Sequence, residues 1–260
     1  MERVRRLKPR RVALAVLALA AAIVALLVAA AGAPGTATGA LVAGGCGMAV
    51  AALVFSVWEW SFHRYLYHRD RGGLLRPLFL THHRDHHFVY FPPWRLTSDM
   101  WDDGSAGAHP SVWTPVASTL LGRQVTISDR LVYVVLGVGL IGGGGALATG
   151  HWAFLWGTCA AGVAITLTFT RVHAAIHHPG SHPLLERLPW FPFLARHHYL
   201  HHLDTEANAN FLLPLADWLF GTLRVPEPGA DLFAAGRAMA PPSAVPAGGG
   251  QFGVYQIGDV

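Results

Sequence analysis

Charged residues are scarce in this chain. Asp, Glu, Lys and Arg make up 13% of its 260 residues, whereas soluble globular proteins carry about 25%. Hydrophobic residues make up 52%. A deficit of charge on this scale indicates that much of the protein surface faces lipid rather than water.

Cysteine and nucleotide-binding motifs are also nearly missing. Cys46 and Cys159 lie in apolar runs and have neither CxxC nor Cys/His spacing, which excludes a disulfide framework and a cysteine-ligated metal site. No GxGxxG motif follows a predicted strand, so no flavin or nicotinamide site is expected in this sequence. The net charge of +4 is not gathered into one long polar patch, and no nucleic acid partner is predicted.

Long uncharged stretches predict four membrane spans. About 20 apolar residues cross a hydrocarbon core of ~30 Å, and this length is met at 12–31, at 38–58 and twice within 131–170. The last block is predicted to form two helices joined at 149–151, because a break at the glycines of 142–145 would leave a first half too short to span. A cleaved secretory signal is the alternative for 12–31, although the apolar cores of signals are typically ~7–15 residues long.

The distribution of basic residues predicts the orientation. Residues 1–11 hold six basic side chains, and the other Lys and Arg residues lie in 59–130 and from 171 onward, while the connections at 33–37 and 149–151 have none. The positive-inside rule therefore places both termini in the cytoplasm. The expected fold is all-α, with four transmembrane helices in a domain at 12–225 and a cytoplasmic helical cap. The segment 226–260 is rich in Pro, Gly and Ala and is expected to have little fixed structure.

Histidine is the residue that this chain has in excess. There are 16 histidines, and all of them except His151 fall on the predicted cytoplasmic side. Four groups have chelating spacing: His63-x4-His68, His83-x2-His86-His87, His173-x3-His177 and His198-x2-His201-His202. Neutral imidazole is the commonest metal-binding side chain, so these groups predict a metal site.

Helix geometry predicts that the site is dinuclear. Positions i, i+3 and i+4 fall within an arc of ~100° on an α-helix, so each HxxHH triplet presents three imidazoles on one face. His63 and His68 would lie ~140° apart on a regular helix, so they cannot easily reach one ion together but could serve two different ions. Ten histidines exceed the roughly four to six ligands that one ion takes. Two ions with five ligands each would use all ten, and the adjacent pairs 86–87 and 201–202 could divide between them.

The remaining polar residues near these groups are expected to orient imidazoles, cap helices or lie on the surface. They are His82, His178, His182, His197, Glu59, Asp70, Asp85, Asp204 and Asp217. A histidine-rich tract that binds metal loosely, without a catalytic purpose, is the simpler alternative. Four groups with chelating spacing argue against it.

These motifs resemble the fatty acid hydroxylase/sterol desaturase superfamily, the membrane di-iron oxygenases with histidine boxes, over roughly 55–225. The first box, His63-Arg64-x3-His68, is similar to that of fatty acid 2-hydroxylases. Further positions that match are Phe91, Pro92, Pro93, His197, Asn210, Phe211, Pro214, Asp217, Phe220, Gly221 and Thr222. The stretch between the second box and Phe91 is short, and no cytochrome b5-like domain precedes the membrane region, which leaves the acyl substrate and the electron donor open.

The resemblance implies two iron ions, with zinc as the alternative metal, and O2 as co-substrate. One ion would take His68, His83, His86, His198 and His201, and the other His63, His87, His173, His177 and His202. The implied reaction is hydroxylation of a fatty acyl chain of a membrane lipid, with the 2-position as one option. A separate protein, cytochrome b5-like or a ferredoxin with its reductase, would supply electrons. A bacterial inner membrane is the implied location.

Three other functions stay open at this stage. A desaturase or a sterol/carotenoid-type oxidase would use the same di-metal centre. A non-catalytic zinc-binding membrane protein would use only its ligands. A metal transporter is disfavoured, because the predicted spans contain no Asp or Glu and His151 alone among histidines, at a connection. Aromatic residues near the histidines would line a lipid path or form an interfacial belt: Trp58, Trp60, Phe62, Tyr65, Phe88, Tyr90, Phe91 and Trp94.

Overall fold

A computed structural model describes residues 35–97, 116–120, 123–127, 134–226 and 230–240, with a few isolated positions between 18 and 33. The predicted basic N-terminus, 1–11, lies outside the described residues, as do most of the first predicted span and the end of the tail, 241–260. Within the described residues the α-helices are α1 (Ala37–Phe62), α2 (Arg76–Phe79), α3 (Gly143–Thr149), α4 (Ala153–His177), α5 (Pro183–Glu186), α6 (Phe191–Leu203), α7 (Leu215–Phe220) and α8 (Leu232–Arg237).

Some helical segments are wound differently. A 3₁₀ turn, Gly73–Leu75, precedes α2, and the described π-helical segments are His63–Tyr67, Leu80–Tyr90 and Val134–Gly142. A π-helix joins residues i and i+5 by its hydrogen bonds, and such segments occur frequently at functional sites. Two of these segments carry histidines of the predicted metal site.

The boundaries of the long helices follow from local sequence. Thr36 caps α1 by accepting a hydrogen bond from the backbone N–H of Gly39 at 3.0 Å. The turn predicted at 149–151 is present: α3 ends at Gly150, which adopts a left-handed φ of 70°, and α4 begins at Ala153. The glycine run at 142–145 does not interrupt the helix, since the π-helical segment continues directly into α3 there.

Two described helices are long and apolar enough to cross a bilayer. They are Ala37–Tyr67 and Ala153–His177, and only 28% of the most apolar window of each is buried within the protein. Leu41 and Trp156, for example, are 79% and 69% exposed. A core helix of a soluble protein would bury most of such a window, so these exposed apolar faces fit contact with lipid. The other two predicted spans stay predictions.

The two long helices cross at small residues. Gly44 and Gly47 on α1 face Gly157 and Phe154 on α4, and a Cβ at Gly157 would collide with the carbonyl group of Gly44. Thr158 is buried at the same crossing and donates a hydrogen bond from its hydroxyl to the carbonyl oxygen of Phe154 at 2.9 Å. Small residues allow close approach of helices in membranes. The crossing therefore fixes the backbones of α1 and α4 against each other.

A short β-hairpin interrupts the helical pattern. Val116–Leu120 (β1) pairs antiparallel with Arg123–Ile127 (β2), with Val116 opposite Ile127 and Leu120 opposite Arg123. The prediction of an all-α chain is wrong for this segment, where Val, Thr and Ile are frequent and favour strand. The rest of the described chain is helical or loop, so the helical class is otherwise confirmed.

Part of the predicted flexible tail forms a helix. Asp231 caps α8 by accepting a hydrogen bond from the backbone N–H of Ala234 at 2.9 Å. The ring of Phe233 stacks on that of Tyr199 in α6, with centroids 4.9 Å apart. Beside it, a Cβ at Gly236 would collide with the Tyr199 hydroxyl and with the carbonyl oxygen of Pro93. Close packing on α6 thus gives residues 231–237 a fixed place.

Candidate metal centre

Nine buried histidines lie together at the ends of the two long helices, in two groups. Within each group the candidate ligand nitrogens lie within 4.8 Å of one another. The first group is His63, His68, His82, His87 and His201, and the second group is His86, His177, His198 and His202. The predicted pair of adjacent metal-binding sites is therefore matched by two clusters that can each hold an ion.

In the first group the imidazole Nε2 atoms converge. His82 Nε2 lies 2.8 Å from His63 Nε2 and 3.1 Å from His87 Nε2. On the other side of the group, His68 Nε2 lies 3.0 Å from His201 Nε2. Two nitrogens bound at right angles to one ion, each ~2.1 Å away, lie ~3.0 Å apart. The spacing of these nitrogens fits binding to a shared ion.

In the second group the Nε2 atoms also lie close together. His198 Nε2 lies 2.9 Å from His177 Nε2 and 3.2 Å from His202 Nε2. The ring of His86 packs edge-on against that of His177, with centroids 4.7 Å apart. His86 Nε2 is buried and has no hydrogen-bond partner in the described structure. A buried nitrogen without a partner is costly, and a bound ion would satisfy it.

Carbonyl oxygens outside the groups fix the protons of three imidazoles. Nδ1 of His177, His201 and His202 lies 2.8 Å from the carbonyl oxygens of Leu96, Ala207 and Phe91, respectively. A carbonyl can only accept, so each Nδ1 carries the proton and donates it. Each Nε2 then has a free lone pair, and all three are directed into the groups. Hydrogen bonds of this kind orient metal-ligating histidines in proteins.

The π-helical segments explain which histidines meet. The backbone N–H of His68 bonds to the carbonyl of His63 at 3.1 Å, so these two residues lie one turn apart, and their rings stack with centroids 5.1 Å apart. The separation of ~140° expected for these two side chains assumed a regular α-helix, and the π-helical winding instead brings both rings into the first group. His82 and His87 are also five apart in a π-helix, and they too fall in one group.

The division into two groups therefore differs from the division implied by the resemblance. Eight of the ten predicted ligands lie in the groups, while His83 and His173 do not, and His82 joins instead. His173 is next to the second group, with its ring centroid 4.7 Å from that of His198. The expected division of adjacent histidines is present at both boxes, since His86 and His87 fall in different groups, as do His201 and His202.

A buried polar network supports the loop beneath the groups, and spacing gave no sign of it. Asp217 accepts hydrogen bonds from the backbone N–H groups of Ala209 and Asn210 at 3.0 and 2.6 Å. Glu59 accepts from the backbone N–H of Phe211 at 2.8 Å. The Asn210 side-chain amide donates to the carbonyl of Ser56 at 2.6 Å. These bonds fix loop 207–211, which supplies the carbonyl that His201 needs.

Asn208 completes this network and was also missed. Its side chain donates to the carbonyl of His197 at 3.2 Å and accepts from the backbone N–H of Arg224 at 2.6 Å. Its own φ is 51°, a left-handed conformation that Asn tolerates better than most residues. The signal in the sequence was the segment Asn208-Ala209-Asn210 directly after the last histidine box, where two amides can bond the backbone.

The remaining predicted polar residues divide between the network and the surface. His197 donates from Nε2 to the carbonyl of Asn210 at 2.6 Å and lies 3.9 Å from a carboxylate oxygen of Asp217. Burial lowers the pKa of His197 to about 4. Asp204 accepts from the N–H of Glu206 in an exposed turn. Three others lie outside both groups: Asp85 pairs with Arg84, His182 is half-buried, and His178 is half-buried beside Phe91.

Burial keeps the imidazoles of the site uncharged. It is the largest cause that lowers the pKa of His82, His86, His87, His198, His201 and His202 well below the ordinary value of 6.5, and neighbouring imidazoles lower it further. A ligand imidazole must be neutral to offer its lone pair. The environment therefore holds these side chains in the form that binds metal at neutral pH.

The aromatic residues divide between the site and the surface. Phe91 is buried, and its ring lies 4.2 Å from that of His177. Trp60 is buried against Phe220, while Tyr65 and Phe88 are 40% and 46% exposed.

Comparisons of this chain with protein-family models, with curated protein sequences and with solved structures give no match.

Proposed function

We propose that this chain is a membrane enzyme that binds two iron ions and uses O2 to hydroxylate the acyl chain of a lipid. The observation that supports this most is the pair of adjacent, buried, all-histidine groups at the ends of two helices with exposed apolar faces. The sequence resemblance to histidine-box oxygenases points the same way.

The donor set fits iron without choosing it. Imidazole binds iron, zinc and copper alike, and iron is proposed because oxidation of an unactivated C–H bond requires a redox-active centre. When bound, an iron pair would supply activation of O2. One oxygen atom would enter the hydroxyl group and the other would leave as water, with two electrons from a separate donor protein and two protons from the solvent.

The residues of the chain would hold and shield this centre. Nine imidazoles offer neutral nitrogens, and the carbonyls of Phe91, Leu96 and Ala207 fix three of them in the binding orientation. Each of the nine side chains is buried, so little water reaches the candidate ligand atoms. Exclusion of water limits side reactions at such a site.

The position of the groups suggests the source of the substrate. Both groups lie where the apolar helices α1 and α4 end, and the predicted orientation puts these ends at the cytoplasmic face of the bilayer. A lipid acyl chain is the substrate that an apolar surface would deliver there. Exposed Tyr65 and Phe88, next to histidine-bearing segments, are suited to the boundary between lipid and water.

The test is a reconstituted reaction. Protein loaded anaerobically with ferrous iron in lipid nanodiscs would receive isotopically labelled O2 and a reductase chain, and the lipids would be analysed by mass spectrometry. We expect labelled hydroxylated lipid from the wild type and from His182→Ala, and none from His86→Ala or His201→Ala. Lipid that loses two hydrogens instead would identify a desaturase, and full metal loading without lipid oxidation across a broad panel would refute an oxygenase.

A further inference from the structure

His82 occupies a place in the first group that its spacing did not predict. It is 6% exposed and lies in the π-helical segment Leu80–Tyr90, five residues before His87. Because residues five apart share a face of a π-helix, both rings point to the same side. Nε2 of His82 is then close to two other Nε2 atoms, those of His63 and His87.

Hydrogen bonds alone cannot pair all three of these nitrogens. Each nitrogen of a neutral imidazole carries either an N–H or a lone pair, so His82 Nε2 can form one full hydrogen bond, to His63 or to His87, but not one to each. A cation between the three nitrogens would be bound by all three lone pairs.

His83 has a different environment. It is half-buried, and its ring packs between Phe79 and Phe88, with centroids 4.9 and 5.0 Å away. Its Nδ1 lies 2.8 Å from Nδ1 of His68, on the opposite edge of that ring from the Nε2 that faces His201. His83 can therefore accept the Nδ1 proton of His68 and leave His68 Nε2 free as a ligand.

We propose that His82 binds the ion of the first group directly, and that His83 orients His68 through a hydrogen bond instead of binding metal. The inference rests on metal binding by the proposed function, but it does not depend on lipid oxidation. It exchanges the roles that the HxxHH spacing assigns to these two neighbours. The reason is the same π-helical winding that brings His63 and His68 together.

Metal stoichiometry tests this exchange. Wild type, His82→Ala, His83→Ala and the control His182→Ala would be loaded with cobalt(II) in detergent, and bound cobalt would be counted by elemental analysis. We expect two ions in the wild type and the control, about one in His82→Ala, and two in His83→Ala with a first-group affinity about 10–100-fold weaker. Two tightly bound ions in His82→Ala, or loss of an ion from His83→Ala, would overturn the proposal.

A thiolate at the same position gives a test that does not depend on loss of metal. Cobalt(II) bound by a thiolate shows a charge-transfer band in the near ultraviolet, and imidazole ligands give none. We expect this band in His82→Cys and not in His83→Cys or the wild type, whose Cys46 and Cys159 lie in apolar helices. Absence of the band in cobalt-loaded His82→Cys would also overturn the proposal.

These results separate two kinds of failure. Wild-type protein that binds two ions but oxidises no lipid would refute the oxygenase function and leave the assignment of His82 standing. An active wild type whose His82→Ala variant keeps both ions would refute only the assignment. Wild-type protein that binds neither cobalt nor iron would overturn both.

Discussion

His87 and His202 stack on each other, with ring centroids 4.1 Å apart and ring planes inclined by 29°. His87 belongs to the first group and His202 to the second. The two groups therefore share this pair of rings, and two bound ions would be neighbours. Loss of either ring is expected to disturb the group to which the other belongs.

Replacement of His87 is predicted to weaken both ions. His87→Ala removes a ligand of the first group and the ring that supports His202, so we expect loss of the first ion and an affinity of the second about tenfold weaker or more. His63→Ala is the matched control, since the ring of His63 packs against Tyr67 and against members of the first group. Titration with cobalt(II), followed by elemental analysis, distinguishes the two variants, and equal second-ion affinities would contradict the prediction.

Replacement of Asp217 is predicted to destabilise the fold. Asp217→Ala leaves the N–H groups of Ala209 and Asn210 and the hydroxyl of Thr222 without their acceptor. An unsatisfied buried donor costs about 1–3 kcal/mol, so we expect a loss of at least about 2 kcal/mol in denaturant unfolding. Asp85→Asn, which affects a pair with the exposed Arg84, is the control and should change stability by less than about 1 kcal/mol. Similar losses in the two variants would refute a role of Asp217 in the network.

The metal-free protein is predicted to become less stable as the pH falls below 6.5. Burial holds the pKa of His86, His87 and His201 well below that value in the folded state, whereas the unfolded chain takes up these protons near pH 6.5. The unfolded state then binds more protons than the folded state, so the free energy of unfolding decreases as the pH is lowered. We expect the unfolding temperature to drop by at least about 5 °C between pH 7.5 and 5.5. A constant unfolding temperature across this range would contradict the burial of neutral histidines.

A bound ion is predicted to delay this acid transition. Metal occupies the nitrogens that protons would otherwise take, so protons and metal compete. Protein loaded with cobalt(II) should therefore keep its unfolding temperature to a lower pH than the metal-free protein, and release cobalt as it unfolds. The same pH profile with and without cobalt would show that the ion does not bind the buried histidines.

Packing of the tail helix on α6 is predicted to depend on Gly236. A methyl group there would meet the carbonyl oxygen of Pro93, which is backbone and cannot easily move, and the Tyr199 hydroxyl that donates to it at 2.8 Å. We expect Gly236→Ala to cost about 1–3 kcal/mol in unfolding experiments. Gly143→Ala is the control, because a Cβ there meets nothing within 4 Å, and it should be neutral or slightly stabilising. Equal stability of the two variants would argue against this contact.

Spacing in the sequence identified eight of the nine histidines of the two groups, but not how they combine. The pair at 201–202 could be divided correctly between two groups because α6 is a regular α-helix, to which a turn of 3.6 residues applies. The pair His63 and His68 could not, since π-helical winding depends on how the segment packs. Their separation of five residues, awkward for an α-helix, was the one indication of that winding.

The network under the site shows the other limit of prediction. Glu59 and Asn210 are 151 positions apart in the chain, yet they hydrogen-bond at 3.2 Å. Nothing local in the sequence indicates that pairing, because it depends on the way α1 packs against the loop after α6. Apolar stretches, in contrast, are local features, and α1 and α4 lie where two of them predicted helices.

The angle at which α1 and α4 cross at their glycines determines where the histidines at the end of α4 lie. His173 is 16 residues beyond Gly157 on α4, a distance of ~24 Å at 1.5 Å per residue. A larger side chain at Gly157 would push the backbone of Gly44 away. A small change in the crossing angle there would become a larger displacement at the histidine end of α4. Metal–nitrogen distances vary by only about 0.2 Å in working sites. Gly157, which is not a ligand, would therefore still determine whether the histidines at the end of α4 are placed to bind an ion.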